Sequence, residues 1–282
     1  MKNLKNKLTK ERLTAIAKIT GASYSILEKH LALESPTPFL KSQEQHYSLK
    51  ESIYLHNDFE NLLHVKLLDY GSKFEEDQLE RNIGSSDREP LELKISEIDY
   101  KHQKVVLEGS IYGDLLHASA NDPIAKFLIA GFKPGDYKKL DLYKTLTCEA
   151  YLLESRGDTK LSFFTYFTAI ESFAALKIQD YKSSVHPELH HALEHLSLDD
   201  KIKIAGRESC STDDLSTIPA WGDVIGEFKK AQKLRNKIAH AHSRVEVSTE
   251  QVDSVFYCLA GLIAIMNSKK YDFISIRKHL FP

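Results

Sequence analysis

The sequence predicts an α+β chain in three zones: a helical segment over residues 1–38, a small β-rich module over 39–136, and an all-α helical bundle over 137–282. Three observations point there. Through the second half of the chain, apolar residues recur at three- and four-residue spacing, as on one face of a helix. Between about 40 and 130 the pattern turns to partial alternation, the period of a half-buried strand. Ser35-Pro36-Thr37-Pro38 separates the first two zones, because each proline disfavours helical backbone in the residue before it.

At the start of the chain, Leu4, Leu8, Leu13, Ile16 and Ile19, then Ile26, Leu27 and Leu31, keep helical spacing. With Gly21 between them, residues 13–31 have the faint outline of a helix-turn-helix. Its second helix, ASYSILEKHL, offers one lysine and few side chains suited to reading bases. A packing hairpin or dimerisation arm therefore fits better than a DNA reader. In the middle zone YSLKESIYL (47–55) and LLHVKLLDYG (62–71) alternate in part. The clearest hairpin joins LELKISEIDY (91–100) to KVVLEGSIYG (104–113): Leu91, Leu93, Ile95 and, after a slip, Ile98 alternate with polar residues. Gly84-Ser85-Ser86-Asp87 and Lys133-Pro134-Gly135-Asp136 mark loops.

The bundle begins with Leu140, Tyr143, Leu146 and Ala150, which keep helical spacing up to a break at Arg156-Gly157-Asp158. Thr159 can cap the next helix, LSFFTYFTAIESFAALKIQ, whose apolar residues nearly surround it and place it at the centre. A third helix is expected over 187–205, opened by Pro187. A fourth is expected over 219–244, anchored by Trp221, and a fifth over 249–268, capped by Ser248 or Thr249. The longest apolar run, VFYCLAGLIAIM (255–266), falls short of the ~20 residues that span a bilayer and reads as a buried helix.

Composition bounds the function. With 38 Lys+Arg against 40 Asp+Glu the net charge is −2, which excludes a chain that coats nucleic acid through its overall charge. Cys148, Cys210 and Cys258 form no C-x-x-C pair, so they are no disulfide framework and fit a reducing compartment. The basic N-terminus is followed by no apolar signal core, and a cytoplasmic protein with no membrane partner is expected.

The charge is unevenly placed. In FKKAQKLRNKIAHAHSR (228–244), Phe228, Ala231, Leu234, Ile238 and Ala241 form a narrow apolar stripe, continued by Val245. Residues 229–244 hold six Lys/Arg and no acid, a local patch suited to phosphate. Within it, Asn236 and His240 lie one turn apart on a shared face, and Arg235 sits about 140° round from His240, near the edge of the apolar stripe. A histidine suits proton transfer near neutral pH, and an arginine, always charged, can hold a phosphate bidentately. RNA brings its own nucleophile, the ribose 2′-OH. The chemistry these residues permit therefore needs neither metal nor cofactor, and no Walker A, G-x-G-x-x-G or G-x-S-x-G motif occurs.

The order Arg235, Asn236, His240 resembles the R-x4–6-H motif of the HEPN superfamily, in which a polar residue commonly follows the arginine; His242 also satisfies the six-residue spacing. The resemblance covers about 138–282, and the helix FFTYFTAIESFAAL is similar to the second core helix of several families of that group. It implies an all-α bundle acting as a metal-independent endoribonuclease of a toxin or antiviral defence system. It also implies products ending in a 2′,3′-cyclic phosphate and a 5′-OH, and a site composed of two motif copies across a homodimer. In that reading Arg235, Asn236 and His240 are catalytic, and Lys229, Lys233, Lys237, His242 and Arg244 hold RNA. The middle module would sense a trigger or restrain the nuclease, with an antitoxin or trigger as a further partner. The alternative is a non-catalytic regulator that binds RNA, a nucleotide or a protein through the same helix.

Two weaker signals remain. Glu171, in the apolar stretch TAIESFAAL, needs a partner if buried and can orient Arg235 or His240, or simply make a structural contact. His186, His190, His191 and His195 include an i,i+4 pair, a spacing known at zinc sites, but they lack H-E-x-x-H and a nearby cysteine, and a polar helix face is the favoured reading.

Overall fold

Gly21 separates two kinds of structure that the apolar spacing joins. In the computed structural model, which describes residues 11–30, 46–55, 59–72, 92–100, 102–112, 123–240 and 245–281, helix α1 spans Arg12–Thr20. It ends where Gly21 adopts φ +84° and donates its N–H to the Ala17 carbonyl at 2.8 Å. The next residues, Ser23–His30, are a strand, β1. The expected second helix, and with it both the helix-turn-helix outline and the helical packing hairpin, is thus overturned: ASYSILEKHL has Tyr and Ile at strand-compatible positions, and backbone pairing with a distant strand outweighs its helical spacing. Residues 1–10 and 31–38 of the expected N-terminal segment lie outside the described residues, as do the 84–87 loop and Leu91.

The chain divides into two compact units, Ala22–Lys138 and a second made of Met1–Gly21 with Lys139–Pro282. In the first, up to a short 3-10 turn at Tyr137–Lys139, the regular structure of the described residues is all strand. After β1 come β2 (His46–Tyr54), β3 (Asn61–Ser72), β4 (Glu92–Asp99), β5 (Lys104–Tyr112) and β6 (Pro123–Phe132). They form two three-stranded antiparallel sheets, ordered β1-β6-β3 and β2-β5-β4. Ile53, Val105 and Leu107 from one sheet and Val65, Phe127 and Ile129 from the other belong to a single buried cluster, so the sheets share one core. The expected β4–β5 hairpin forms, with Ile95 opposite Leu107 and Ile98 opposite Val105. The slip between them is a bulge between Ile95 and Glu97.

The second unit is helical. After α1 it contains α2 (Leu142–Ser155), α3 (Thr159–Lys182), α4 (His190–Glu194), α5 (Leu198–Cys210), α6 (Trp221–Ala239), α7 (Thr249–Met266) and α8 (Phe273–Leu280). Helix α7 is long and apolar enough to cross a membrane by length and composition, but Val255 to Met266 are all buried, as the central helix of a bundle requires. It packs beside α3, where Tyr166 meets Phe256 at 5.2 Å between ring centroids. Phe167 of α3 stacks on Phe228 of α6 at 6.0 Å.

The ends of the helices differ from the expected ones for local reasons. Asp158, not Thr159, caps α3, its carboxylate accepting from the Leu161 N–H at 3.1 Å. The single third helix is two, because Ser197 turns its hydroxyl to the Asp200 N–H and opens α5 afresh. At α7, the Gln251 side chain accepts from the Ser248 N–H at 2.9 Å, half of a capping box. Trp221 opens α6 as expected and is buried against Gly206 of α5, where a Cβ would lie 2.4 Å from the indole.

Candidate functional site

Helix α6 is held by its apolar stripe, with Val224, Phe228 and Ala231 buried. Arg235 follows Phe228 and Ala231 at seven- and four-residue steps, so it stands beside that stripe, near its edge on the side toward α3. There the guanidinium lies 6.0 Å from the Phe167 ring centroid and 3.7 Å from the Glu171 carboxylate. Both side chains of this pair are a little over one third exposed. Glu171 is therefore not a buried carboxylate in need of rescue. It stands at the rim of the α3–α6 seam, where it orients the arginine and offsets part of its charge.

Asn236 and His240 lie on another side of the helix, and both are exposed. Between the side chains of the motif the contact is a long one, Arg235 Nη1 donating to Asn236 Oδ1 at 3.5 Å. His240 ends the helix. Its N–H donates to the Asn236 carbonyl at 3.0 Å, and α6 ends at Ala239; residues 241–244 of the expected 219–244 helix lie outside the described residues. Within one chain the arginine is held in the seam while the imidazole points elsewhere, about 140° round the helix axis.

The lysines divide as well. Lys229, Lys233 and Lys237 are exposed on α6, Lys229 and Lys233 on the side that carries Asn236 and His240. Lys230 is different: its ammonium donates to the Glu227 carboxylate at 2.9 Å, which raises its pKa. The acid-free count that begins at residue 229 starts just after this carboxylate. His242 and Arg244 lie outside the described residues.

Of the histidine cluster, His190 donates to the Lys182 carbonyl at 2.9 Å, and the Nε2 atoms of His191 and His195 lie 3.1 Å apart on an exposed face. Among the described residues, no three His, Cys, Asp or Glu are grouped to hold a metal. Burial pushes the Cys148 thiol up to about 12, far from a reactive thiolate.

Two charged residues were not foreseen from the sequence. Arg12 of α1 is 4% exposed, paired with Glu154 of α2 at 2.6 Å and with Asp253 of α7, its guanidinium 4.9 Å from the Phe256 ring. Glu227 of α6 is 7% exposed and accepts from the Ser254 hydroxyl of α7 as well as from Lys230. Glu227 has a sequence signal of the kind that singled out Glu171: it lies one turn from Ala231 on the apolar side of α6. Arg12 has none, since it reads as one more cation in a basic N-terminus.

Comparison with protein-family models, with curated proteins and with solved structures finds no match for this chain.

Proposed function

We propose that the helical unit is a metal-independent endoribonuclease of the HEPN type, acting in a toxin or antiviral defence setting. The observation that carries this reading is the division of labour on α6. Arg235 is a fixed cation, held between Glu171 and Phe167, while His240 and Asn236 are open to solvent beside Lys229 and Lys233. An exposed imidazole can exchange protons with a substrate, and exposed lysines gather phosphate without fixing sequence.

In the reaction, one His240 takes the proton of a ribose 2′-OH, whose oxygen attacks the neighbouring phosphorus. The bond from phosphorus to the 5′ oxygen breaks, and a second imidazole gives that oxygen a proton. The products are a 2′,3′-cyclic phosphate and a 5′-OH, with Arg235 offsetting charge on the phosphoryl oxygens. Because Arg235 and His240 diverge in one chain, the two imidazoles and the cation come together when two α6 helices meet across a two-fold axis.

The test is cleavage of unstructured RNA by the intact chain in EDTA. Arg235→Ala and His240→Ala each lower the rate by at least about a hundredfold, with the Trp221 fluorescence unfolding curve unchanged. Expression of the native chain arrests growth, and His240→Ala removes the arrest. Cleavage that survives both substitutions refutes the assignment.

The same divergence, with the partial neutralisation of Arg235 by Glu171, favours a second reading: a non-catalytic regulator that binds RNA, a nucleotide or a protein through α6. Retention of RNA on the native chain, intact after prolonged incubation, selects it.

A further inference from the structure

The histidines around α4 fall into two pairs. His186 and His190 are committed to the backbone: His186 Nδ1 accepts from the Glu188 N–H at 3.4 Å, and His190 donates to the Lys182 carbonyl at 2.9 Å. His191 and His195 are exposed and turn to each other, with 3.1 Å between their Nε2 atoms. Their ring centroids are 4.3 Å apart and the rings are inclined at 50°, so they lean together at Nε2 rather than stack. By itself this contact is one N–H donated to one ring nitrogen. Water satisfies an exposed imidazole equally well, and holding two side chains against each other costs rotamer freedom.

We propose that His191 and His195 form a two-point chelate for a divalent late transition-metal ion of the Zn2+ or Cu2+ class. The ion takes the place of the proton between the two nitrogens, and water fills its remaining positions. With metal–nitrogen bonds of about 2.05 Å, two ligands of one ion stand about 2.9 Å apart at a right angle and about 3.3 Å apart at the tetrahedral angle. The 3.1 Å between the imidazoles lies within that span. Imidazole suits Zn2+, Cu2+ and Ni2+, whereas Mg2+ keeps to oxygen ligands and water. Among the described residues no third His, Cys, Asp or Glu joins the pair, so this is an open chelate on one helical turn and not a closed structural zinc centre.

The backbone beneath the pair is braced. The His195 N–H donates to the His191 carbonyl at 3.3 Å, which sets the two side chains one turn apart at the end of α4. Five residues are too few to hold a helix on their own. Lys182 holds this one at two points: its carbonyl takes His190, and its buried ammonium takes the Glu194 carboxylate. Glu194 is thereby occupied and is not counted as a ligand. It still sets a negative charge near the pair: Lys182 chiefly, and the two imidazoles in smaller part, hold its carboxyl below the ordinary value. An ion that ties the two positions together completes the bracing and stabilises the folded chain.

The inference does not depend on the ribonuclease reading. Neither histidine lies on α6, and that reading is tested in EDTA, which strips this site. The experiment takes the intact chain, freed of metal with EDTA and desalted, and titrates it with Cu2+, Zn2+, Ni2+ and Mg2+ in turn by calorimetry, with electron paramagnetic resonance for Cu2+. Cu2+ is expected to bind with a two-nitrogen signature and most tightly, Zn2+ and Ni2+ to compete for the same site, and Mg2+ to leave it alone. His191→Ala and His195→Ala change exposed side chains and leave the fold intact. Each lowers Cu2+ affinity at least about tenfold, because either histidine alone loses the advantage of a linked second ligand. His186→Ala leaves affinity unchanged, and saturating Zn2+ raises the urea midpoint of the native chain but not of the His191 and His195 variants. A two-nitrogen signature that survives either of those two substitutions, an equal loss with His186→Ala, or equal competition by Mg2+ overturns the chelate.

Discussion

Replacing Arg12 by Met tests how α1 is held to the bundle. Methionine keeps much of the packing volume against Phe256 but removes the charge that Glu154 and Asp253 share. Those carboxylate side chains are 20% and 18% exposed, so water replaces the lost cation only in part. Breaking a buried ion pair from one side costs about 3–5 kcal/mol, a large share of the roughly 5–15 kcal/mol that holds a typical domain folded. Burial already raises the Glu154 carboxyl above its ordinary 4.5, against the opposing pull of Arg12. Without Arg12 it rises further, and the folded chain then binds that proton more tightly than the unfolded chain does. Stability contributed by such a group is present below the ordinary carboxyl value and lost as pH rises through the folded one. The deficit of the variant is therefore largest at pH 7 and smaller at pH 5, by about 1.4 kcal/mol for each pH unit that the Glu154 value climbs into that window. Trp221 is the only tryptophan of the chain and is buried in the helical unit, so its fluorescence in a urea titration reports this unit. A deficit below about 1 kcal/mol at pH 7, well under the range for a buried pair, or one that is equal at both pH values, refutes this account of the clasp.

On the proposed ribonuclease reading, Glu171→Ala releases Arg235 and lowers RNA cleavage about tenfold, as loss of a positioning contact does, while the shape of the pH–rate profile, set by the proton-transfer groups, stays the same. Gly206→Ala puts a Cβ 2.4 Å from the Trp221 ring and costs about 1–3 kcal/mol in urea unfolding, with a shifted emission maximum. With iodoacetamide at pH 8, the native chain is alkylated first at half-exposed Cys210. Cys148, buried and titrating at about 12, and buried Cys258 react only after denaturation, as peptide mass spectrometry shows.

What was legible in the sequence follows from where each residue's preference is settled. The β4–β5 hairpin could be read down to its slip, because alternation of Leu93, Ile95 and Ile98 is a local pattern and the bulge between Ile95 and Glu97 restores it. Strand β1 could not, because Ile26 and Leu27 satisfy helical spacing, and only pairing with β6, a hundred residues on, makes the segment a strand. Strand β6 itself escaped notice, since a central strand lies between two others and its near-continuous run FLIAGF has no period of two. In the candidate site, the shared face of Asn236 and His240 was legible from helix geometry. The seat of Arg235 against Phe167 and Glu171 was not, because it depends on which face of α3 meets α6. The end of α6 at Ala239 was hidden for a similar reason: residues 240–244 keep helix-compatible spacing, and nothing in them announces the stop.

Arg12 and Asp253 are 241 residues apart in the chain, and the whole of Ala22–Lys138 is inserted between α1 and α2. In synthesis from the N-terminus, α1 leaves the ribosome long before the helices it packs against, and it waits while the sheet unit is made and folds as a body of its own. Its clasp closes only after α7 has emerged. A chain interrupted anywhere before Asp253 therefore leaves α1 without that partner, and it also lacks Ser254, which holds Glu227. The bundle that carries Arg235 and His240 is thus completed only after the sheet unit has been made, and a chain interrupted before α7 holds a sheet unit without a finished bundle.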